Sequence, residues 1–229
     1  MSAIWIMIYG IIYSFSEKFS KLFGENHILT VFTIMIYIIV LYIFLKKRNM
    51  LSVYGICLPK YWTKRDIGWL IPLLSFPFAN MYLQGNQTMI QNSWIMFLLM
   101  LFTVFLEELL FRGYLLVYFF DKCGNDSKWI GIIISSVLFG MFHIVNLFQG
   151  ADIVYTMIQI LCACAIGLCL CMLVSQYKSI FPGTIVHYII NITSLHMEKS
   201  NYHVLVFFFI LSVLHIFYAC LLNWKWRTI

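Results

Sequence analysis

The chain has 229 residues, 62% of them hydrophobic, 18% aromatic and only 10% charged, with a formal net charge of +6. Soluble domains carry about 25% charged residues, so a soluble globular protein is excluded and a polytopic, all-α membrane helix bundle is expected. The positive balance is assigned to loop lysines and arginines that orient helices, not to a nucleic-acid partner.

No stretch of the chain is polar enough to form a separate soluble unit, and one integral-membrane domain over residues 1–229 is expected. The opening MSAIWIMIYG has neither a basic start nor a small-residue cleavage site, so it does not read as a removable signal peptide. The apolar runs in order are Ala3–Phe15, with an amphipathic continuation over Ser16–Phe23, then Ile28–Leu45, Ile67–Leu83 and Ser93–Phe120. Trp129–Phe148, Ile153–Ser175, Ser179–Leu195 and Val204–Leu222 follow. Most are long enough to span and the first is marginal, so about eight helices are expected.

Charge supports the even number. Lys46, Lys47, Arg48, Lys60, Lys64, Arg65, Lys122, Lys128, Lys178, Lys225 and Arg227 fall in alternate connections or the C-terminal tail. The opposite connections hold only Lys18, Lys21 and Lys199. By the positive-inside rule both termini are expected in the cytoplasm of a multi-pass cell-membrane protein.

Within the third run, Pro72 and Pro77 are expected to distort the helix and free carbonyls that need other partners. Pro182 suits the first turn of the seventh. Four of the seven cysteines crowd LCACAIGLCLC, but Cys162 and Cys164 lie about 200° apart on a helix and no C-x-x-C occurs. These cysteines read as small apolar residues that allow close helix packing.

The fourth run carries the misfit. FLEELLFRG, Phe105 to Gly113, sets two carboxylates and a guanidinium inside an apolar helix. Each costs roughly 2.5–3.5 kcal/mol near the membrane centre, against a few tenths returned by a neighbouring Leu or Phe. Arg112 lies about 40° from Glu108 around a helix and about 140° from Glu107. Glu108–Arg112 is therefore the natural ion pair, and Glu107 is left to find a partner elsewhere in the bundle. A structural salt-bridge cluster bracing helices is the rival reading.

Later runs supply partners. His143 in FGMFHIVN has Phe139 one turn before it and Asn146 one turn after. His187 in TIVHYIIN shares its face with Asn191, while His215 has no such neighbour and reads as a packed core histidine. Measured along each helix from its cytoplasmic end, Glu107 lies roughly 20 Å deep, His143 about 21 Å, His187 about 12 Å and Asn191 about 18 Å. A carboxylate, two imidazoles and a carboxamide in one dry layer are the parts for water activation and oxyanion stabilisation.

EELLFR, FGMFH and HYIIN fit E-E-x-x-x-R, F-x-x-x-H and H-x-x-x-N, in that order on three helices. In this the chain resembles the CAAX-protease and bacteriocin-processing (CPBP, or Abi) family of intramembrane endopeptidases, over about residues 93–195. The resemblance implies about eight helices around a membrane-embedded catalytic cavity. It makes Glu107 the base that activates water, with His143 sharing that water. Glu108 and Arg112 become supporting residues, and His187 and Asn191 stabilise the oxyanion. Glu107, His143 and His187 are also three potential zinc ligands, yet H-E-x-x-H is absent and a metal-free mechanism is equally consistent.

The expected function is hydrolysis of a peptide bond in a membrane-associated or secreted peptide or protein substrate. The Ile-, Phe-, Tyr- and Asn-rich composition suggests a low-GC bacterium, where peptide or pheromone processing and bacteriocin self-immunity are the settings. The alternatives are a non-enzymatic membrane immunity or scaffold protein, and a proton-coupled transporter, although no internal repeat supports the latter.

Overall fold

The computed structural model describes residues 2–22, 27–50, 56–59, 63–84, 94–123, 128–194 and 202–227. Among these, the chain forms eight continuous helical segments, named here in order. Helix α1 is Ser2–Leu22 and α2 is Ile28–Lys47. Helix α3 (64–84) joins a 3₁₀ segment, Lys64–Leu74, to an α-helix, Ser75–Gln84. Helix α4 (94–123) contains a π segment, Leu109–Leu115, between two α-helical parts. Helix α5 (128–149) ends in a 3₁₀ tail, His143–Gln149. Helices α6, Ile153–Tyr177, α7, Phe181–Ser194, and α8, Tyr202–Arg227, complete the bundle. The amphipathic continuation of the first run is thus part of α1. His203 stands in the first turn of α8.

Five of these helices, α2, α4, α5, α6 and α8, are long and apolar enough to cross a membrane. The described part of α7 has 14 residues, about 21 Å at 1.5 Å per residue, which is less than the hydrocarbon thickness. The run over Ser179–Leu195 is therefore shorter than a full span in its described part.

Helix α3 departs from an α-helix for the reason its prolines suggest. In a 3₁₀ helix the carbonyl three residues before Pro72 receives no backbone proton from it. That carbonyl is Trp69 O, and Tyr218 of α8 donates its hydroxyl to it at 2.7 Å. The Pro72 carbonyl itself accepts from Ser75 Oγ at 2.7 Å and lies 3.2 Å from His215 Nε2. With Nδ1 donating to Leu211 O at 2.8 Å, His215 fastens α8 to the distorted helix and stays out of the acid–imidazole cluster.

Helix α6 packs against both α5 and α8, with Ala165, Cys169, Leu170, Cys171, Leu173 and Val174 fully buried. Glycines set the α5–α6 approach. A Cβ on Gly140 would overlap Cys164 Sγ and lie 2.8 Å from the Ile160 carbonyl, and one on Gly167 would sit 3.2 Å from Ser136 Cα. Cys162, Cys164, Cys169 and Cys171 are free thiols built into this packing, as small residues at membrane helix interfaces are. The α5–α6 turn is short because Gly150 takes φ 90° and Asp152 then caps α6 by accepting from Tyr155 N at 2.9 Å.

Candidate active site

The π segment of α4 begins immediately after Glu108. Widening to i→i+5 bonding is uncommon and concentrates at functional sites. Its cost is met locally: the Phe111 carbonyl accepts from Leu116 N and from Ser135 Oγ of α5, the latter at 2.8 Å. The helix angles drawn for a uniform α-helix therefore do not hold through this stretch, yet Arg112 Nη1 still donates to Glu108 Oε1 at 2.9 Å, both side chains being 0% exposed.

Glu108 does more than brace its own helix. The same Oε1 accepts from His187 Nδ1 of α7 at 2.9 Å, so one carboxylate oxygen holds both a guanidinium and an imidazole. Gly183, one turn before His187, lets α7 come this close, since a Cβ there would sit 3.2 Å from Glu108 Oε2. A carboxylate only accepts, so Nδ1 of His187 carries a proton and Nε2 is the nitrogen turned outward. That Nε2 lies 3.6 Å from Glu107 Oε2, too far for a direct hydrogen bond and close enough for both to bind one water.

The other oxygen of Glu107, Oε1, accepts from Tyr9 OH at 3.1 Å. Tyr9 is 1% exposed and its ring stacks on Phe142 at 4.8 Å and 11°, which fixes the hydroxyl. Phe139 ties the cluster from below. Its ring face lies 4.1 Å from the Arg112 guanidinium carbon, and the rings of His143 and His187 meet it edge-on at 5.5 and 5.4 Å. Arg112 Nε and Nη2 find no hydrogen-bond acceptor, so this cation–π contact is their main compensation.

His143 is the first residue of the 3₁₀ tail of α5. Its Nδ1 donates to the Phe139 carbonyl at 3.2 Å, leaving Nε2 free for the cavity. Two adjoining cavities of ≈ 100 and ≈ 210 Å³ share His143, Tyr155, Gln159, Asn191 and Ser194 in their walls. His187 borders the smaller and Glu107 the larger. Either has room for several waters. The structure thus brings Glu107, His143, His187 and Asn191 around one space, with Glu108 and Arg112 beneath it.

Sequence reasoning missed Tyr9, whose tyrosine is unremarkable in an apolar helix. It also passed over Thr103, Asn80 and Gln159, which line the cavities too. Asn80 and Gln159 carried a usable signal, the same polar-in-apolar misfit that singled out Glu107. Asn146, instead of serving His143, donates to Gln159 at 2.8 Å.

Zinc fits poorly here. Among the described residues no group of three His, Cys, Asp or Glu side chains is arranged to hold a metal ion, and Glu107, His143 and His187 do not form one. His187 Nδ1 is committed to Glu108 and Glu107 Oε1 to Tyr9, which leaves Nε2 and Oε2 as the atoms turned to the cavity.

Fold and cavity together define a multi-pass helical membrane protein with a buried acid–imidazole site. Residues 89–193 match the model of the type II CAAX prenyl endopeptidase Rce1-like family. The match runs from just before α4 to the penultimate residue of α7 and contains all three motifs, which bears out the resemblance read from them. The family implies a CAAX-type intramembrane protease. No curated protein and no solved structure matches the chain.

Proposed function

We propose that the protein is an intramembrane endopeptidase that hydrolyses a peptide bond in a membrane-associated or secreted peptide. The observation that carries this reading is the 3.6 Å separation of Glu107 Oε2 and His187 Nε2 beside cavities that His143 and Asn191 also line. Glu107 takes a proton from a water that His143 Nε2 also holds, and the hydroxide attacks the substrate carbonyl carbon. His187 in its imidazolium form, through Nε2–H with Nδ1–H still on Glu108, and the Asn191 carboxamide donate to the oxyanion that forms. Collapse breaks the C–N bond as the proton held by Glu107 passes to the departing amine.

Glu108 and Arg112 act as positioning residues, because Glu108 fixes which nitrogen of His187 is presented. The whole chain, residues 1–229, is read as one integral-membrane unit with both termini in the cytoplasm. The basic residues at the ends of α2, α4 and α8 support that orientation. Processing of a secreted or signalling peptide, or self-immunity to a bacteriocin through such cleavage, is the setting.

The test is cleavage of candidate peptides by the purified protein. Glu107→Gln and His143→Ala are each expected to lower kcat/KM by about 10²–10⁴-fold, the usual worth of a general acid–base group. Undiminished cleavage by both variants would end the assignment.

A further inference from the structure

We propose that Gln159 is a substrate-binding residue, whose carboxamide nitrogen donates to a backbone carbonyl of the peptide beside the bond that is cut, and that Asn146 positions it. This role rests on the proposed endopeptidase activity.

The winding of α5 brings Asn146 to the cavity. An α-helix turns about 100° per residue, which would set Asn146 roughly 60° off the line of His143. The 3₁₀ tail that begins at His143 has three residues per turn, so side chains three apart eclipse. His143 and Asn146 accordingly stand on one edge of the tail, and both line the ≈ 210 Å³ cavity.

Across the short turn into α6, Asn146 Nδ2 donates to Gln159 Oε1 at 2.8 Å. That bond fixes which end of the Gln159 carboxamide is left over. It is Nε2, which carries two N–H donors and meets no acceptor among the described residues. Such a donor is costly to leave unpaired once water has been displaced from around it.

Gln159 borders both cavities, as His143 and Asn191 do. Of the two, Glu107 borders the larger and His187 the smaller, and their facing atoms are 3.6 Å apart. The bond to be cut therefore lies where the cavities adjoin, and Gln159 is on the wall of that junction. Water satisfies so polar a space in the free protein. A peptide that takes the place of this water must supply the hydrogen bonds it made, and a backbone carbonyl is the acceptor that every peptide carries whatever its sequence. The oxyanion has His187 and Asn191 as its donors, which leaves Gln159 to a neighbouring carbonyl. That contact is the same in the ground and transition states, so it acts on KM and leaves kcat nearly unchanged.

The test is steady-state cleavage by the purified protein. Gln159→Met keeps the side-chain length and removes both polar atoms. We expect it to raise KM about 10–100-fold, because the substrate carbonyl is left unpaired. Asn146→Leu frees the Gln159 carboxamide to turn and should raise KM less, and the double variant should be no worse than Gln159→Met alone. A thioamide scan of the peptide replaces one non-scissile C=O at a time with C=S, a weaker acceptor. We expect one position beside the cut to lose about 3–10-fold in kcat/KM with the unaltered protein, less with Asn146→Leu and nothing with Gln159→Met. The comparison of the unaltered protein with Asn146→Leu stands if Gln159→Met does not fold. An unchanged KM in Gln159→Met, a fall in its kcat at constant KM, or a scan with no sensitive position overturns the inference. Cleavage that withstands Glu107→Gln would remove the endopeptidase reading itself. An inactive Glu107→Gln beside a Gln159→Met of unchanged KM removes the role of Gln159 alone.

Discussion

Tyr9 reaches across 98 positions of sequence to donate its hydroxyl to Glu107 Oε1 at 3.1 Å. The pair joins α1, which lies outside the family-matched stretch, to the carboxylate on which the proposed chemistry depends. With Oε1 held, Oε2 is the oxygen left toward His187 and the cavity.

Replacing that hydroxyl tests the relationship directly. Tyr9→Phe keeps the stack on Phe142 and removes one hydrogen bond to a carboxylate, worth roughly 1.5–3 kcal/mol. We expect kcat to fall about 10–100-fold with KM nearly unchanged. A rise in KM at constant kcat would mean that Tyr9 serves substrate binding and does not position Glu107.

Glu108 and Arg112 form a fully buried pair, and breaking one partner leaves the other charge uncompensated, at a cost of about 3–5 kcal/mol. Arg112→Met should therefore destabilise the protein strongly. Adding Glu108→Gln to that variant should restore more than half of the loss, because the stranded charge is gone. Unfolding in detergent measures both. Simple additivity of the two substitutions would show that the pair contributes nothing through its coupling.

Two glycines separate packing from site geometry. Gly140→Ala drives a methyl into Cys164 Sγ and against the Ile160 carbonyl, and overpacking of this kind costs roughly 1–3 kcal/mol. Cys164→Ala should rescue it only in part, since the carbonyl at 2.8 Å cannot be removed. Gly183→Ala instead presses on Glu108 Oε2 at 3.2 Å and Leu170 Cδ2 at 3.5 Å. It should reduce kcat more than stability by displacing the carboxylate that orients His187. Equal losses in both properties for Gly183→Ala would count against that role.

The donor arrangement also bears on metal dependence. Because the described residues offer no three-donor group, cleavage by the purified protein should survive prolonged dialysis against a strong chelator. Loss of activity on dialysis, restored by zinc alone, would show that the side chains rearrange around an ion.

Much of this protein was determined locally. Apolar runs longer than a bilayer is thick, bounded by lysines and arginines, dictate transmembrane helices whatever their neighbours do, because an unpaired backbone cannot be left in lipid. Glu108 and Arg112 pair across one helical turn, and Pro72 spoils the helix around it, for reasons confined to a few residues. The three motifs were legible for the same reason, each lying within one turn of one helix.

What the tertiary structure alone decided is how the separate helices share their charges. His187 meets Glu108 only because α7 is narrowed at Gly183, and one oxygen then serves both His187 and Arg112. Tyr9 meets Glu107 only because α1 docks beside α4, and Phe139 collects Arg112, His143 and His187 around one ring. Apart from Phe139–His143 and Glu108–Arg112, each one turn apart, these contacts cross from 27 residues, for Arg112 and Phe139, to 98 for Tyr9 and Glu107, and no helical period relates their members. In a low-dielectric interior every such group must find a partner, but which partner it finds depends on helix packing.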